Sequence, residues 1–271
     1  FLGGLLCVAV EASDVRLVWT PSDVRSALGQ PTIGFVPNAE DEVVGFRETC
    51  QAAAKRPHGS MAEAARKIGV RLWADRGEEE GGVMVLVTSC TPAEGKTTVL
   101  SNVAVTLAQS GHKVVVVDAD LRKPSLHLIY DLPLEKGLAD YLDGETTAEA
   151  IIKPTGVEGV YVVTSGRVEM SPYTVTELDR FRGLMTTLRG QADVVLVDTS
   201  PILGVSEVGL LARAMDEVIL VVESGKVRKT VAARAMEMLR ELNVKITGVV
   251  LSNVRYSKGD YFYYARYYGT R

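Results

Sequence analysis

Cysteine is scarce in this sequence. Only Cys7, Cys50 and Cys90 occur in 271 residues. An odd number, set far apart, gives neither a disulfide framework nor the spacing of a zinc site. The same scarcity argues against an iron–sulfur ATPase and fits a reducing compartment. A basic excess is also lacking. The net charge of −4 gives no reason to expect a nucleic-acid partner, which usually draws a basic balance, and this mild acidity reads as solubility. Long apolar runs are missing too. The uncharged opening "FLGGLLCVAV" is ten residues long, whereas a bilayer span needs about 20. With no basic region and no initiator Met, it does not read as a signal peptide. Two readings stand at this point: a buried element of a soluble domain, or the cytoplasmic end of a transmembrane helix.

What is present is an ordinary globular composition, 46% hydrophobic and 24% charged, in a chain long enough for one large α/β domain with a smaller appendage. Residues 14–37 read as a turn, a short helix and a strand; Thr20 or Ser22 caps the helix, Gly29 closes it and Pro31 follows. Residues 38–82 are polar and alanine-rich, hold one helix, "MAEAARKIGVRLWADR", and read as the best linker region. From residue 83 short β-branched runs alternate with helical patterns. The runs are 83–88, 113–118, 160–165, 193–198, 217–222 and 246–251, and each is continuously apolar, as in strands buried on both faces. Helical stretches between them include 96–110, 176–190 and 229–242. The alternation predicts an α/β fold, a mostly parallel sheet flanked by helices.

Between the first of these runs and its helix lies "CTPAEGKTT", residues 90–98. A helix N-terminus presents unpaired N–H groups and a positive dipole end, so a loop that wraps an anion there binds phosphate. Thr91, Pro92, Ala93, Glu94, Gly95, Lys96, Thr97 and Thr98 form the expected cradle, with Lys96 reaching the β and γ phosphates and the Thr97 hydroxyl on Mg²⁺. The strict phosphate-loop pattern fails at its first glycine, which is Cys90. Three carboxylates support the nucleotide reading. Asp118 and Asp120 follow one buried run and Asp198 ends another, and in open α/β sheets ligands bind at the carboxyl ends of strands. Two residues apart in extended backbone, Asp118 and Asp120 would face the same way. Mg²⁺ needs one or two carboxylates beside the phosphates, which leaves one acid over as a base. A single Asp after a strand is more simply a turn residue or helix cap; three beside a phosphate loop read as a site.

Together these residues resemble the bacterial tyrosine kinases of the polysaccharide co-polymerase family. That family's phosphate loop also lacks the first glycine. "VVVVDADLR" matches its second Walker motif, "VVLVDTSPIL" its Walker B motif, and the tyrosine-rich end "YSKGDYFYYARYYGTR" a further hallmark. "TPSDVRSALGQPTIGFVP" resembles the juxtamembrane segment that follows the second transmembrane helix in one-chain members.

The resemblance implies a P-loop NTPase fold with five successive regions. Residues 1–13 would end the transmembrane helix, with a periplasmic domain ahead of it. Residues 14–50 would be a juxtamembrane activator, 51–82 a linker with an oligomerisation helix, 83–254 the kinase domain and 255–271 the tail. It further implies ATP and Mg²⁺, with Asp118 and Asp198 alongside Thr97 at the metal or its waters, and Asp120 as the base; the residues alone do not separate these roles. The implied partners are other copies of the chain, the polysaccharide polymerase and export machinery, and a cognate tyrosine phosphatase, at the cytoplasmic face of the bacterial inner membrane. Departures stand at Gly69, where the oligomerisation pattern begun by Glu63 and Arg66 has a second Arg, at Ser200, where Walker B usually continues with Pro, and at Ser252, where an Asn is usual.

Two kinds of function follow. One is a tyrosine autokinase that phosphorylates Tyr256, Tyr261, Tyr263, Tyr264, Tyr267 and Tyr268 in a neighbouring copy; six of the ten tyrosines lie in this tail. The other is an ATPase switch of the ParA/MinD type, or a nucleotide-binding regulator of export without catalysis. The switch proteins carry a signature lysine near the start of the loop, where this chain has Thr91, and they lack a tyrosine-rich tail.

Overall fold

A computed structural model describes residues 16–38, 45–74, 81–167 and 175–255. The expected end of a transmembrane helix and the six tail tyrosines lie outside the described residues, among which no helix is long and apolar enough to cross a membrane.

The first described elements are helix α1 (Pro21–Leu28) and strand β1 (Thr32–Pro37). Thr20 caps α1 reciprocally: Asp23 N–H donates to its hydroxyl at 3.2 Å, and Asp23 Oδ2 accepts from Thr20 N at 3.0 Å. Pro21 opens the helix and Gly29 closes it at φ 62°, so the capping read from the sequence is the capping found. Three helices follow, α2 (Phe46–Cys50), α3 (Ala52–Lys55) and α4 (Ser60–Ala74). The alternating region is β2 (Val83–Ser89), α5 (Lys96–Gln109), β3 (Val114–Asp118), α6 (Leu126–Tyr130), α7 (Leu138–Leu142), α8 (Ala148–Ile151), β4 (Ile152–Pro154), β5 (Val160–Val163), α9 (Val175–Arg189), β6 (Val194–Asp198), α10 (Glu207–Ala212), β7 (Glu217–Glu223), α11 (Lys229–Glu241) and β8 (Lys245–Val254).

The described strands make one eight-stranded sheet in the order β1-β8-β7-β2-β6-β3-β5-β4. Every pairing is parallel except β4 on β5. Each expected run became a strand, because every residue of β2, β3 and β6 is buried and a β-branched run suits a sheet covered on both faces. Two apolar clusters, one on each face, form the core.

The stretch read as a linker belongs to that core. Cys50, Ala52, Met61, Ala65, Ile68 and Leu72 are buried against α5 and the sheet. Alanine lets backbones approach closely: Asn102 of α5 accepts from Ala53 N at 2.8 Å and donates to Thr49 O at 2.9 Å. A Cβ on Gly34 of β1 would meet Ile68 Cγ1 at 2.3 Å. Low hydrophobicity here marks small side chains under a tight contact, not a solvent-exposed tether. The same packing accounts for the departure at Gly69, where a Cβ would press on Leu107 at 3.2 Å, while Glu63 and Arg66 pair with each other at 2.7 Å. The described residues of the 14–50 segment pack on the nucleotide domain. β1 is the outer strand of its sheet, and Val18, fully buried, is strapped to the turn before α11 by Val18 N to Val227 O and Gly225 N to Val18 O, both 2.8 Å.

Candidate active site

The sheet order decides what meets at its carboxyl edge. β6 lies between β2 and β3, with Val87 opposite Asp198 and Asp198 opposite Asp118. One carboxylate therefore sits beside the loop that leaves β2, and the second one strand further on. The loop turns into α5 through two left-handed residues, Ala93 at φ 59° and Gly95 at φ 84°. Gly95 is the N-cap of α5, so the first-turn N–H groups, which have no intrahelical acceptor, face the hollow of the loop.

Of the expected cradle, Thr91 and Glu94 bind each other: the Glu94 carboxylate accepts from Thr91 N and from its hydroxyl, the latter at 2.6 Å, and from Glu223 N at 3.3 Å. Glu94 is buried, which pushes its carboxyl up from the usual range. Pro92 and Ala93 are exposed. Ala93 O accepts from Lys226 Nζ at 3.0 Å. Lys96 is buried, with Nζ 3.6 Å from Asp120 Oδ2. Thr97 donates to Asp198 Oδ2 at 2.5 Å, and Thr98 Oγ1 lies 3.5 Å from Cys50 Sγ. Cys90 and Cys50 are buried free thiols, and burial raises both, Cys50 to about 12; neither has the exposed, thiolate-favouring setting of a reactive cysteine.

The three acids divide their work. Asp118 is fully buried and accepts from Ser125 N and Leu126 N, each at 3.0 Å, which caps α6; the bland reading of an Asp after a strand thus holds for one of its oxygens. Its other oxygen, Oδ1, has no hydrogen-bond partner among the described residues, and neither has Asp198 Oδ1. Two buried, unpartnered carboxylate oxygens in adjacent strands are costly without a cation. Burial first, and the facing Asp198 second, push Asp118 up to about 8. Burial pushes Asp198 up to about 6, against the pull of Lys96 and Thr97. A hard divalent cation fits this set: two orphaned carboxylate oxygens beside a threonine hydroxyl, with phosphate oxygens and water to complete it. Asp120 is different. Its Oδ1 accepts from Ser200 Oγ at 2.6 Å and from Lys123 N at 3.2 Å, and its Oδ2 faces Lys96.

On the far side of β2 a cavity of about 340 Å³ opens beside the loop. Asn38, Thr49, Gly95, Thr98, Glu223 and Asn253 are among its lining. Glu223 and Asn253 are bonded to each other at 2.7 Å. Glu223 does not stand out in the sequence as a site residue, whereas Asn253 directly follows Ser252, where the resemblance puts an Asn. Their positions at the carboxyl ends of β7 and β8 are the available signal, since that is where such sheets bind ligands.

The geometry has counterparts among known proteins. The ParA family, described as NUBPL iron-transfer P-loop NTPase, matches residues 82–260. The tyrosine-protein kinase YwqD of Bacillus subtilis is 34% identical over 187 residues, which is 69% of this chain and 78% of YwqD. The chain belongs to the bacterial tyrosine-protein kinases. The kinase domain of Escherichia coli tyrosine kinase ETK superposes on this kinase with a TM-score of 0.79 at 29% identity, covering 89% of this chain and 99% of that one. The septum site-determining protein MinD of Pyrococcus horikoshii, complexed with Mg-ADP, gives a TM-score of 0.53 at 26% identity over 63% of this chain and 70% of that one. The kinase is therefore a tyrosine-protein kinase of the P-loop NTPase type, built on the sheet it shares with the switch proteins.

Proposed function

We propose that this kinase transfers the γ-phosphoryl group of ATP to tyrosines of the C-terminal tail of a neighbouring copy, at the cytoplasmic face of the inner membrane, and so regulates polysaccharide polymerisation and export. The observation that carries the reading is the trio of acids set one strand apart around Lys96 and Thr97. Phosphoryl transfer asks mainly for positioning and charge neutralisation. The first-turn N–H groups of α5 and Lys96 hold the phosphates, and the cavity lined by Thr98, Glu223 and Asn253 takes the remainder of the nucleotide. Thr97, Asp198 and Asp118 hold Mg²⁺, which supplies neutralisation of the developing phosphate charge.

The residues left are those of proton transfer. A phenol of pKa about 10 attacks poorly with its proton in place. Asp120 Oδ2 accepts that proton as the phenol oxygen bonds to the γ-phosphorus and the bond from that phosphorus to the β-phosphate oxygen breaks, releasing ADP. The acceptor tyrosines follow β8 closely, and Asn253, near its end, lines the nucleotide cavity. Export machinery, a cognate phosphatase and self-association enter through the resemblance of the juxtamembrane segment and tail.

The test is to incubate the chain with ATP and Mg²⁺ and map phosphate by mass spectrometry. Phosphate on the tail tyrosines is expected. ATP hydrolysis with no phosphotyrosine would replace the kinase by a ParA/MinD-type switch, and nucleotide binding with neither would make it a regulator without catalysis.

A further inference from the structure

Ser200 stands where the resemblance puts a proline, a residue with no side-chain donor. The structure shows what the hydroxyl touches. Ser200 is buried, and the chain around it is fastened to β2 on both sides. Thr199 Oγ1 donates to Val87 O at 3.0 Å, Thr88 Oγ1 donates to Ser200 O at 2.9 Å, and Ile202 N donates to Ser89 O at 2.9 Å. The hydroxyl is thus delivered from a fixed backbone, and it donates to Asp120 Oδ1 at 2.6 Å.

The two oxygens of Asp120 then have separate partners. Oδ1 is held by Ser200 and by Lys123 N–H, while Oδ2 meets only Lys96 at 3.6 Å among the bonds and ion pairs of the described residues. On the proposed reading Lys96 turns to the phosphates when nucleotide binds, and Oδ2 then loses this partner and becomes the free oxygen. Without Ser200, the carboxylate would be held by a single 3.2 Å bond, and its terminal torsion is broad and roughly two-fold. It could then rotate, or follow Lys96 toward the phosphates.

We propose that Ser200 is a positioning residue for phosphoryl transfer, fixing Oδ1 of Asp120 so that Oδ2 stays aimed at the incoming tyrosine hydroxyl after Lys96 leaves. This rests on the reading of Asp120 as the base. The Ser200 hydroxyl makes its contact with Asp120. It acts through Asp120, and it supplies in this chain an anchor that a proline cannot. Charge-assisted hydrogen bonds from a fixed donor are among the stronger ones, and misaiming a proton acceptor slows transfer without weakening substrate binding.

The experiment measures initial rates of tail phosphorylation against ATP concentration for the full chain, in Ser200→Ala, Ser200→Thr, Asp120→Asn and the Ser200→Ala/Asp120→Asn double variant, with nucleotide affinity and melting measured alongside. Ser200→Ala is expected to lower kcat about tenfold while KM for ATP and the melting temperature stay put. Ser200→Thr, which keeps the hydroxyl, recovers most of that loss. In the Asp120→Asn background Ser200→Ala costs nothing further. A wild-type kcat in Ser200→Ala while Asp120→Asn is slow overturns the role of Ser200 and leaves Asp120 standing. A wild-type rate in Asp120→Asn overturns the underlying reading of the base. A loss in Ser200→Ala that appears in KM, or that adds in full to Asp120→Asn, also overturns the proposal, because Ser200 would then act on binding or by another route.

Discussion

Replacing Asp118 by Asn should stabilise the nucleotide-free protein and make it less responsive to pH. The side chain is fully buried, with Oδ2 accepting from Ser125 N and Leu126 N and Oδ1 without a partner among the described residues. Asparagine can keep both accepted bonds through its carbonyl oxygen and put its amide where the orphaned oxygen stood. The folded carboxyl is pushed up to about 8, against about 3.9 in an unfolded chain. A raised folded value favours the protonated form. The Asp118 contribution to stability is therefore greatest at acid pH and declines as pH rises from about 4 toward 8, since over that range the unfolded state gives up the proton first. A single site would lose about 1.4 kcal/mol per pH unit, so about 4 kcal/mol from pH 5 to 8 is the ceiling. Asp198, pushed up to about 6, shares the titration, and half of that ceiling, about 2 kcal/mol, is a reasonable expectation for Asp118. Melting should then fall by roughly 4–8 °C across this range in the wild type for the Asp118 contribution, and that contribution should vanish in Asp118→Asn. Adding ADP and Mg²⁺ should raise the wild-type melting point most at high pH and raise the variant less. Melting curves at pH 5, 6.5 and 8, with and without Mg-ADP, decide it. The same pH slope in Asp118→Asn as in wild type would refute the reasoning.

Lys96→Met should abolish phosphate labelling, because the ammonium is the cation expected at the phosphates, and should lower the melting point by leaving buried Asp120 without its partner; full labelling would refute the loop assignment. Gly34→Val should cost about 2 kcal/mol or more by overpacking, because its Cβ would lie 2.3 Å from Ile68 Cγ1, and urea unfolding would show it as a lowered midpoint. Truncation after Arg255 should leave nucleotide binding intact and remove most autophosphorylation, read by isothermal titration and phosphotyrosine blotting. Cutting after Asn253 would also remove Val254, which pairs with Pro37.

The nucleotide half was legible because its signals are local. A strand buried on both faces writes itself as a continuous apolar run, and the acids of such a site come at the ends of those runs. β4 escaped notice because it is three half-exposed or exposed residues at the sheet edge. Within residues 45–74 the long helix α4 was legible, but the short helices α2 and α3 escaped for the opposite reason: Ala52 and Ala53 look neutral in sequence, yet each is buried, and what they bury is backbone approach. Asp118 and Asp120 could be paired by spacing but not told apart. One caps α6 and the other faces Lys96, and that division is set by Ser125 and Ser200, which only the fold brings near. The departure at Ser200 was visible in the sequence, but its partner 80 residues away was not.

The way β8 is anchored bears on what the tail can do under load. Its last residues pair with β7 on one side and with β1 on the other, and Asn38 N donates to Val254 O at 3.0 Å. A pull on the chain beyond Arg255 runs along β8 and meets parallel rungs on both flanks, interrupted by register shifts, one of them on the β1 side between Leu251 and Val254. Such rungs resist in shear, sharing the force, where a hairpin pulled at its open end would unzip bond by bond. The tail's root is thus mechanically stiff, and a neighbour gripping the tail would move this whole subunit before it peeled the strand away. The same rungs tie the root to Asn38, which lines the cavity beside the phosphate loop, so tension on the tail reaches a wall of that cavity directly.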